Sequence, residues 1–360
     1  MRDTWDSLEK SSLAEEASAL VVDDQRRAYD GEDYEEILVR VFLTLASLMG
    51  DGVDAESYSL QTLAQHQKIV EREQADVGEA VTADYCIPAI APYLRGVVRE
   101  ATLHDYDDAF RAYQLAEQLL PGSPQIAADI QRVTHGVHSA PEHGVVYVIA
   151  MVGRGPYKVE TEAVATKEAL LIADQILSSL GEYSLPPTLA PVKIPSIVSP
   201  RMPFDLVGIQ VDGNAWTTTL PMTDLQELAQ RTAEIHQPKV LARAVARRIV
   251  KKGAVYSAKD HFNADSALTS LAFDAAGVLW EATESADTRC WGLLPRQIQC
   301  ARLELPAGSH QLHLEPVAGG SPLSSGVTEL VNVSKGRNTY VLSYWADRAP
   351  IGQVLVSQPQ

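Results

Sequence analysis

Asp287, Arg289 and Trp291 stand at alternate positions in the run Glu284-Ser285-Ala286-Asp287-Thr288-Arg289-Cys290-Trp291, ahead of Leu294-Pro295. A forked guanidinium beside a carboxylate and an indole face can hold a carboxylate or a sugar. The same groups can instead tie a helix terminus to a sheet through a partly buried ion pair. Lys239, Arg243, Arg247 and Lys251 recur at four-residue spacing, with Arg248 and Lys252 widening the row. On a helix they form one basic stripe, with Leu241, Val245 and Ile249 on the apolar side. Like charges four apart destabilise an isolated helix by some tenths of a kcal/mol per pair. An acidic counterpart is therefore expected: an anionic lipid surface, a polymer such as peptidoglycan or a phosphate-bearing glycan, a partner protein, or the chain's own acidic helices. Plain solvation of the stripe is the competing reading.

Other residues have the right types but the wrong spacing. His135-x-x-His138 with His143 could bring imidazoles to one metal, yet no adjacent Cys and no helix-borne Glu completes a ligand set. His310 and His313 fall on opposite faces of a strand. Gly153-Arg154-Gly155-Pro156 follows an apolar run but lacks the third glycine of a dinucleotide loop and the Gly-Lys-Ser/Thr of a phosphate loop, so a turn or bulge is expected there. No Gly-x-Ser-x-Gly elbow occurs. No catalytic residue, metal or cofactor is expected.

Charge narrows the partners. The chain has 360 residues, 47 acidic against 30 basic, and a formal net charge of -17. Residues 1–120 hold 25 Asp and Glu against 10 Lys and Arg, leaving 22 against 20 for the remainder. A surface so acidic repels phosphate backbones, which excludes nucleic-acid binding by that half. Cys86, Cys290 and Cys300 form no Cys-x-x-Cys pair, which excludes a cysteine-only zinc site and permits at most one intrachain disulfide. No apolar run reaches the roughly 18–20 residues of a membrane span, and the opening Met1-Arg2-Asp3-Thr4-Trp5-Asp6 does not read as a signal peptide.

From Asp3 to about Thr134 apolar residues recur at three and four, as in Ile37, Leu38, Val41, Phe42, Leu45 and Met49, which predicts helices. Gly50-Asp51-Gly52, Pro88 and Pro121-Gly122 punctuate them. The segment from His104 to Pro121 resembles the second helix of a tetratricopeptide repeat (TPR): Ala109 and Ala116 at close-approach positions, Tyr113 between them, Pro121 as terminator, and Tyr93 and Gly96 on the preceding helix. A weaker copy is read around Tyr34 to Val70. A generic antiparallel bundle is the other reading.

The period changes at Gly144. Val145 to Met151 predicts a largely buried strand, Glu162 to Leu180 a helix, and Leu206 to Val211 with Ala215 to Leu220 a hairpin about Asp212-Gly213-Asn214. Leu225 to Thr283 reads as helix, broken at Pro238 and again near Gly253 or His261. The C-terminal end, 296–357, reads as strands: Ile298 to Leu305, Gln311 to Pro316, Thr328 to Val333, Asn338 to Trp345 and Gln353 to Ser357. The expected class is α+β, with a TPR-like helical domain over 1–140 and a mixed domain over 144–360. In the latter a sheet or sandwich is packed by helices 162–181 and 224–283.

Four further runs carry a resemblance: Gly153 to Glu160, Val240 to Arg247, Glu284 to Trp291 with Leu294-Pro295, and Ala301 to His310. They look like an uncharacterised bacterial family that joins a TPR region to such a C-terminal domain, with many members outer-membrane or periplasmic lipoproteins. The Ala-Asp-Thr-Arg-x-Trp run is the most specific part. The resemblance implies an architecture and a compartment but no activity. The function expected from the repeat-like helices, which recognise partners through extended concave surfaces, and from the lack of a catalytic set is a non-catalytic envelope scaffold that binds other envelope proteins through a TPR-like groove and a C-terminal docking domain. The resemblance also implies a lipid-modified signal upstream of Met1 and a tethered periplasmic location; without that signal the expected compartment is the cytoplasm. The alternative is an enzyme or ligand-binding protein with a pocket between the C-terminal helices and sheet, anchored by Asp287 and Arg289.

Overall fold

The computed structural model describes residues 29, 31–77, 86–102, 104–180, 185, 189–261, 285–323 and 326–360. Among these the chain is mixed α+β, a helical N-terminal part followed by a sheet-rich C-terminal part. The helices are α1 (Asp33–Met49), α2 (Ala55–Val77), α3 (Ile90–Thr102), α4 (Tyr106–Leu119), α5 (Pro124–Thr134), α6 (Lys167–Leu180) and α7 (Leu225–His261). The strands are β1 (His143–Val152), β2 (Tyr157–Ala163), β3 (Val192–Val198), β4 (Leu206–Val211), β5 (Ala215–Thr218), β6 (Leu220–Asp224), β7 (Gln297–Pro306), β8 (Gly308–Ala318), β9 (Ser321–Pro322), β10 (Val327–Val333), β11 (Asn338–Trp345) and β12 (Leu355–Val356).

Two compact units cut across chain order. Of the described residues, those within 31–156, 199–231 and 291–360 form the larger, and Tyr29 with those within 157–198 and 232–290 form the smaller. In the larger unit, successive helices from α1 to α5 pack each on the next, and α1 also touches α3. The connectors do what their residues suggest: Asp105 caps α4 by accepting from Asp108 N at 3.1 Å, and Pro124 opens α5 at its first turn.

Behind the helices lies a five-stranded sheet in the order β12-β11-β1-β7-β6, and beyond it a second five-stranded sheet in the order β10-β8-β4-β5, with the short β9 paired to β8 off that path. Strand β1 is central, parallel to β11 and antiparallel to β7. From Val145 to Val152 it is almost wholly apolar because both its faces are covered. Val146, Val148, Ala150 and Val152 enter the inter-sheet core with Val207, Ile209, Leu312, Leu314, Val331, Val341 and Trp345, while Tyr147 points the other way and donates to Glu100 of α3 at 2.9 Å. Asp212-Gly213-Asn214 is the hairpin turn between β4 and β5, and 153–156 is the turn between β1 and β2.

The smaller unit contains the antiparallel β2–β3 hairpin, α6 and the part of α7 from Thr232. Ala169 and Ala173 of α6, Val192 and Ile194 of β3, and Leu241, Ala242, Ala244 and Val245 of α7 make its core. Two expectations are corrected here. Glu162 to Leu180 is not helical from its start, since β2 runs to Ala163; Val159, Thr161 and Ala163 alternate with Lys158, Glu160 and Glu162, a strand period. Helix α7 also passes through Pro238 and Gly253 without ending. A mid-helix proline costs about 3 kcal/mol locally, and the apolar side chains from Leu241 onward, packed on α6 and β3, offset that cost. Positions 262–283 of the expected helix lie outside the described residues.

Candidate functional site

Asp287 and Arg289 meet as a forked pair: Arg289 Nε donates to Asp287 Oδ1 at 2.8 Å and Nη2 to Oδ2 at 2.7 Å. The Arg289 backbone N–H closes on the same Oδ1 at 3.1 Å. Its guanidinium carbon stands 5.4 Å from the Tyr29 ring centroid. Burial raises the Asp287 pKa, but the Arg289 hydrogen bonds and charge outweigh it and hold the carboxyl below the usual range. The preceding Ala286 N–H donates to Glu160 of β2 at 2.8 Å, and Glu160 pairs with Lys193 of β3 at 2.9 Å. Loop 285–289 is thus pinned to the hairpin. Two Arg289 nitrogens are given to Asp287, so a bound carboxylate would have to compete for them. Both side chains are about a third exposed, and such pairs contribute about 0–1 kcal/mol. Asp287→Asn is accordingly expected to lower stability by less than about 1 kcal/mol in urea unfolding; a loss of several kcal/mol would mean the pair organises its unit.

Trp291 does not join them. It belongs to the larger unit, where its ring meets Phe42 edge-on at 5.5 Å and its backbone N–H donates to Glu35 at 2.9 Å.

The basic row runs along α7 as its spacing predicts, but it is not a uniformly solvated stripe. Lys239 and Arg243 are partly buried, whereas Arg247 and Lys251 are buried, and all four are engaged by other groups. Arg248 donates to the carbonyls of Ala190 and Pro191 at 3.1 and 2.7 Å. Solvation as a reading of the row fails for Arg247 and Lys251, because the turn of α7 they occupy also carries the buried Ala246 and Val250.

The residues read as helix-packing positions are brought together. Tyr93, Ala109, Tyr113 and Ala116 are fully buried, and the Tyr93 and Tyr113 rings lie 5.4 Å apart. Gly96 is required by contact: a Cβ there would stand 2.5 Å from Tyr113 Cε1. Pro121 follows the end of α4. Gly96→Ala is expected to cost about 1–3 kcal/mol in urea unfolding by overpacking a ring with no room to move. Adding Tyr113→Leu should recover part of the loss, since the clash is with the ring; no recovery would refute the contact argument.

A polar cluster that pattern reading does not find joins α3 and α5 to the sheet. Glu100 is fully buried and accepts from Arg132 at 2.7 and 3.0 Å and from Tyr147. Asp129 accepts from Arg132 at 2.9 Å and from the Tyr93 hydroxyl at 2.9 Å, with Arg302 of β7 3.7 Å away. Arg132 also donates to the Val137 carbonyl at 3.0 Å, and Arg302 to that of His138. Burial raises the Glu100 pKa against the pull of Arg132. His138, read with His135 and His143 as part of a linker, is buried, its Nε2 2.8 Å from Asn338 Oδ1 of β11. His135 caps a helix-end carbonyl (Gln131) at 2.7 Å and His143 faces that of Pro141 at 2.9 Å, so the three imidazoles serve separate backbone and side-chain contacts. Cys300, on β7, is buried beside this cluster and its thiol is pushed up to about 12 by burial, which makes it a poor nucleophile. No local sequence signal marks the cluster, because its members are scattered from Tyr93 to Asn338 and meet only in the tertiary fold.

These features define an α+β protein whose helical layer is locked to its sheet by buried ion pairs. Compared with known proteins, the chain matches no family model, no curated protein and no solved structure.

Proposed function

We propose that this chain is a non-catalytic scaffold of the cell envelope, built on a TPR-like helical repeat and a C-terminal docking domain, and that it binds other envelope proteins. The observation that carries the repeat reading is the α3–α4 pair, with Gly96 beneath Tyr113 and with Ala109 and Ala116 buried at the close approach. Helices packed each on its neighbour are the arrangement from which repeat proteins make extended binding surfaces. The sheet side of α3 and α5 is taken up by the chain's own β1 and β7 through Tyr147 and Arg302. A protein partner is therefore assigned to the exposed apolar residues of the first two helices and their turn, Leu60 of α2 and Val53 of the α1–α2 turn. The envelope location rests on the resemblance of the four runs, and sequencing upstream of Met1 with cell fractionation tests it. For the partner, a photo-crosslinking residue at Leu60 or Val53 in the native cell should capture one reproducible protein, while the same residue at Lys335 captures none. Failure at both sites, together with turnover of a metabolite by the purified chain, would replace the scaffold with an enzyme.

A further inference from the structure

The outer face of the β10-β8-β4-β5 sheet carries a platform that the scaffold reading does not use. Register places Trp216 of β5 opposite Gln210 of β4, Gln210 opposite His313 of β8, and His313 opposite Thr328 of β10. One row of side chains thus crosses β5, β4, β8 and β10, on the face opposite Ile209, Leu312 and Leu314, which fill the inter-sheet core. The Trp216 indole lies across β4. Its Nε1 would be 3.2 Å from a Cβ at Gly208, so the ring rests where that strand has no side chain. From there Nε1 reaches toward Glu315 of β8 at 3.4 Å, a buried carboxylate that also has His313 Nε2 at 3.8 Å. His313 Nδ1 in turn meets Thr328 Oγ1 at 2.8 Å. The ring is held edge and underside, while the residue remains 45% exposed.

We propose that this face binds a neutral, hydroxyl-rich glycan, with a sugar ring stacked on Trp216 and its hydroxyls bonded to Gln210, His313 and Thr328. A flat indole beside amide, imidazole and hydroxyl groups fits a pyranose, which offers an apolar C–H face ringed by hydroxyls. Charge selects against the other stacking ligand, a nucleic-acid base: none of the four strands carries a Lys or Arg to neutralise phosphate, and the one buried acid is already engaged by Trp216 and His313. The proposal does not depend on the scaffold reading, since neither Leu60 nor Val53 is on this sheet.

Isothermal titration of the full chain with tetra-N-acetylchitotetraose, cellotetraose and maltotetraose, and with a single-stranded DNA oligomer, tests it. At least one oligosaccharide should bind. Trp216→Ala should weaken that binding about tenfold or more, with Trp216→Phe intermediate and Gln210→Ala a few-fold weaker. Thermal unfolding of each variant reports its folding; should Trp216→Ala fail to fold, the Phe and Gln210→Ala variants carry the test. Absence of binding by all three oligosaccharides, affinity indifferent to these substitutions in folded protein, or preference for the oligonucleotide would each overturn the proposal.

Discussion

Replacing Arg132 by Met is expected to destabilise the fold by about 3–5 kcal/mol, the cost of removing one partner from a buried ion pair. Arg132 is shared between Glu100 and Asp129, both almost fully buried. Without it, two carboxylates remain inside the protein with Arg302 as the nearest remaining cation, 3.7 Å from Asp129. The Val137 carbonyl loses its guanidinium donor as well. Urea unfolding at neutral pH measures the loss, and the double variant Arg132→Met with Glu100→Gln should recover part of it because one stranded charge is removed. A loss under about 1 kcal/mol would mean that water reaches the cluster and screens it.

Acidification is the second large expected effect, and it is traced to His138. Burial, against the opposing hydrogen bond to Asn338 and aided by the nearby charges of Arg302, Arg132 and His104, lowers its pKa from 6.5 to about 4. Between those values the unfolded chain takes up a proton that the folded chain does not. The contribution of His138 is therefore fully present above pH 6.5 and is lost as the pH falls through about 4. Each tenfold difference in proton affinity between the folded and unfolded chains is worth about 1.4 kcal/mol, which makes the whole contribution about 3 kcal/mol. Stability of the native chain should fall over that window, and His138→Gln should flatten the fall by that amount, since an amide can still donate toward Asn338 Oδ1 without titrating. An unchanged slope in the variant would transfer the acid sensitivity to the carboxylates. Proton NMR of the imidazole gives the pKa directly.

The legible parts of this chain are those in which local period and local packing agree. The change from helical to strand periodicity at Gly144 appears at the start of β1, and the strand expected over Asn338 to Trp345 has those bounds. Gly96, Tyr113 and the two alanines are readable because close helix contact demands small residues at fixed spacing. Strand β2 is hidden by its charged alternate positions, and α7 continues past Pro238 because packing outweighs a local rule. The pairing of β1 with β11 has no local signature, and the three-layer arrangement that depends on it has none either. Sequence treats Glu100, Asp129, Arg132 and Arg302 as four surface charges; only the tertiary fold turns them inward. Of the residues singled out for binding, Asp287 and Arg289 form their pair, whereas Trp291 lies with Phe42. Trp216 carries no local signal, because a single aromatic after a hairpin turn acquires meaning from the glycine and carboxylate on neighbouring strands.

The central position of β1 also imposes an order in time. Both of its sheet neighbours, β7 and β11, come late in the chain, so a ribosome exposes α1 to α5 and β1 long before either neighbour exists. The helical layer can gather through its sequential contacts, but the Tyr147 strand meant to cover it has nothing on its flanks, and Arg302 has not been made. Contacts of such long sequence separation form slowly, and a central apolar strand waiting for its neighbours is open to other chains. Synthesis of this protein thus passes through an interval in which its most buried strand is its most exposed one, and yield in a cell should depend on translation rate and on chaperones that hold β1 until β11 arrives.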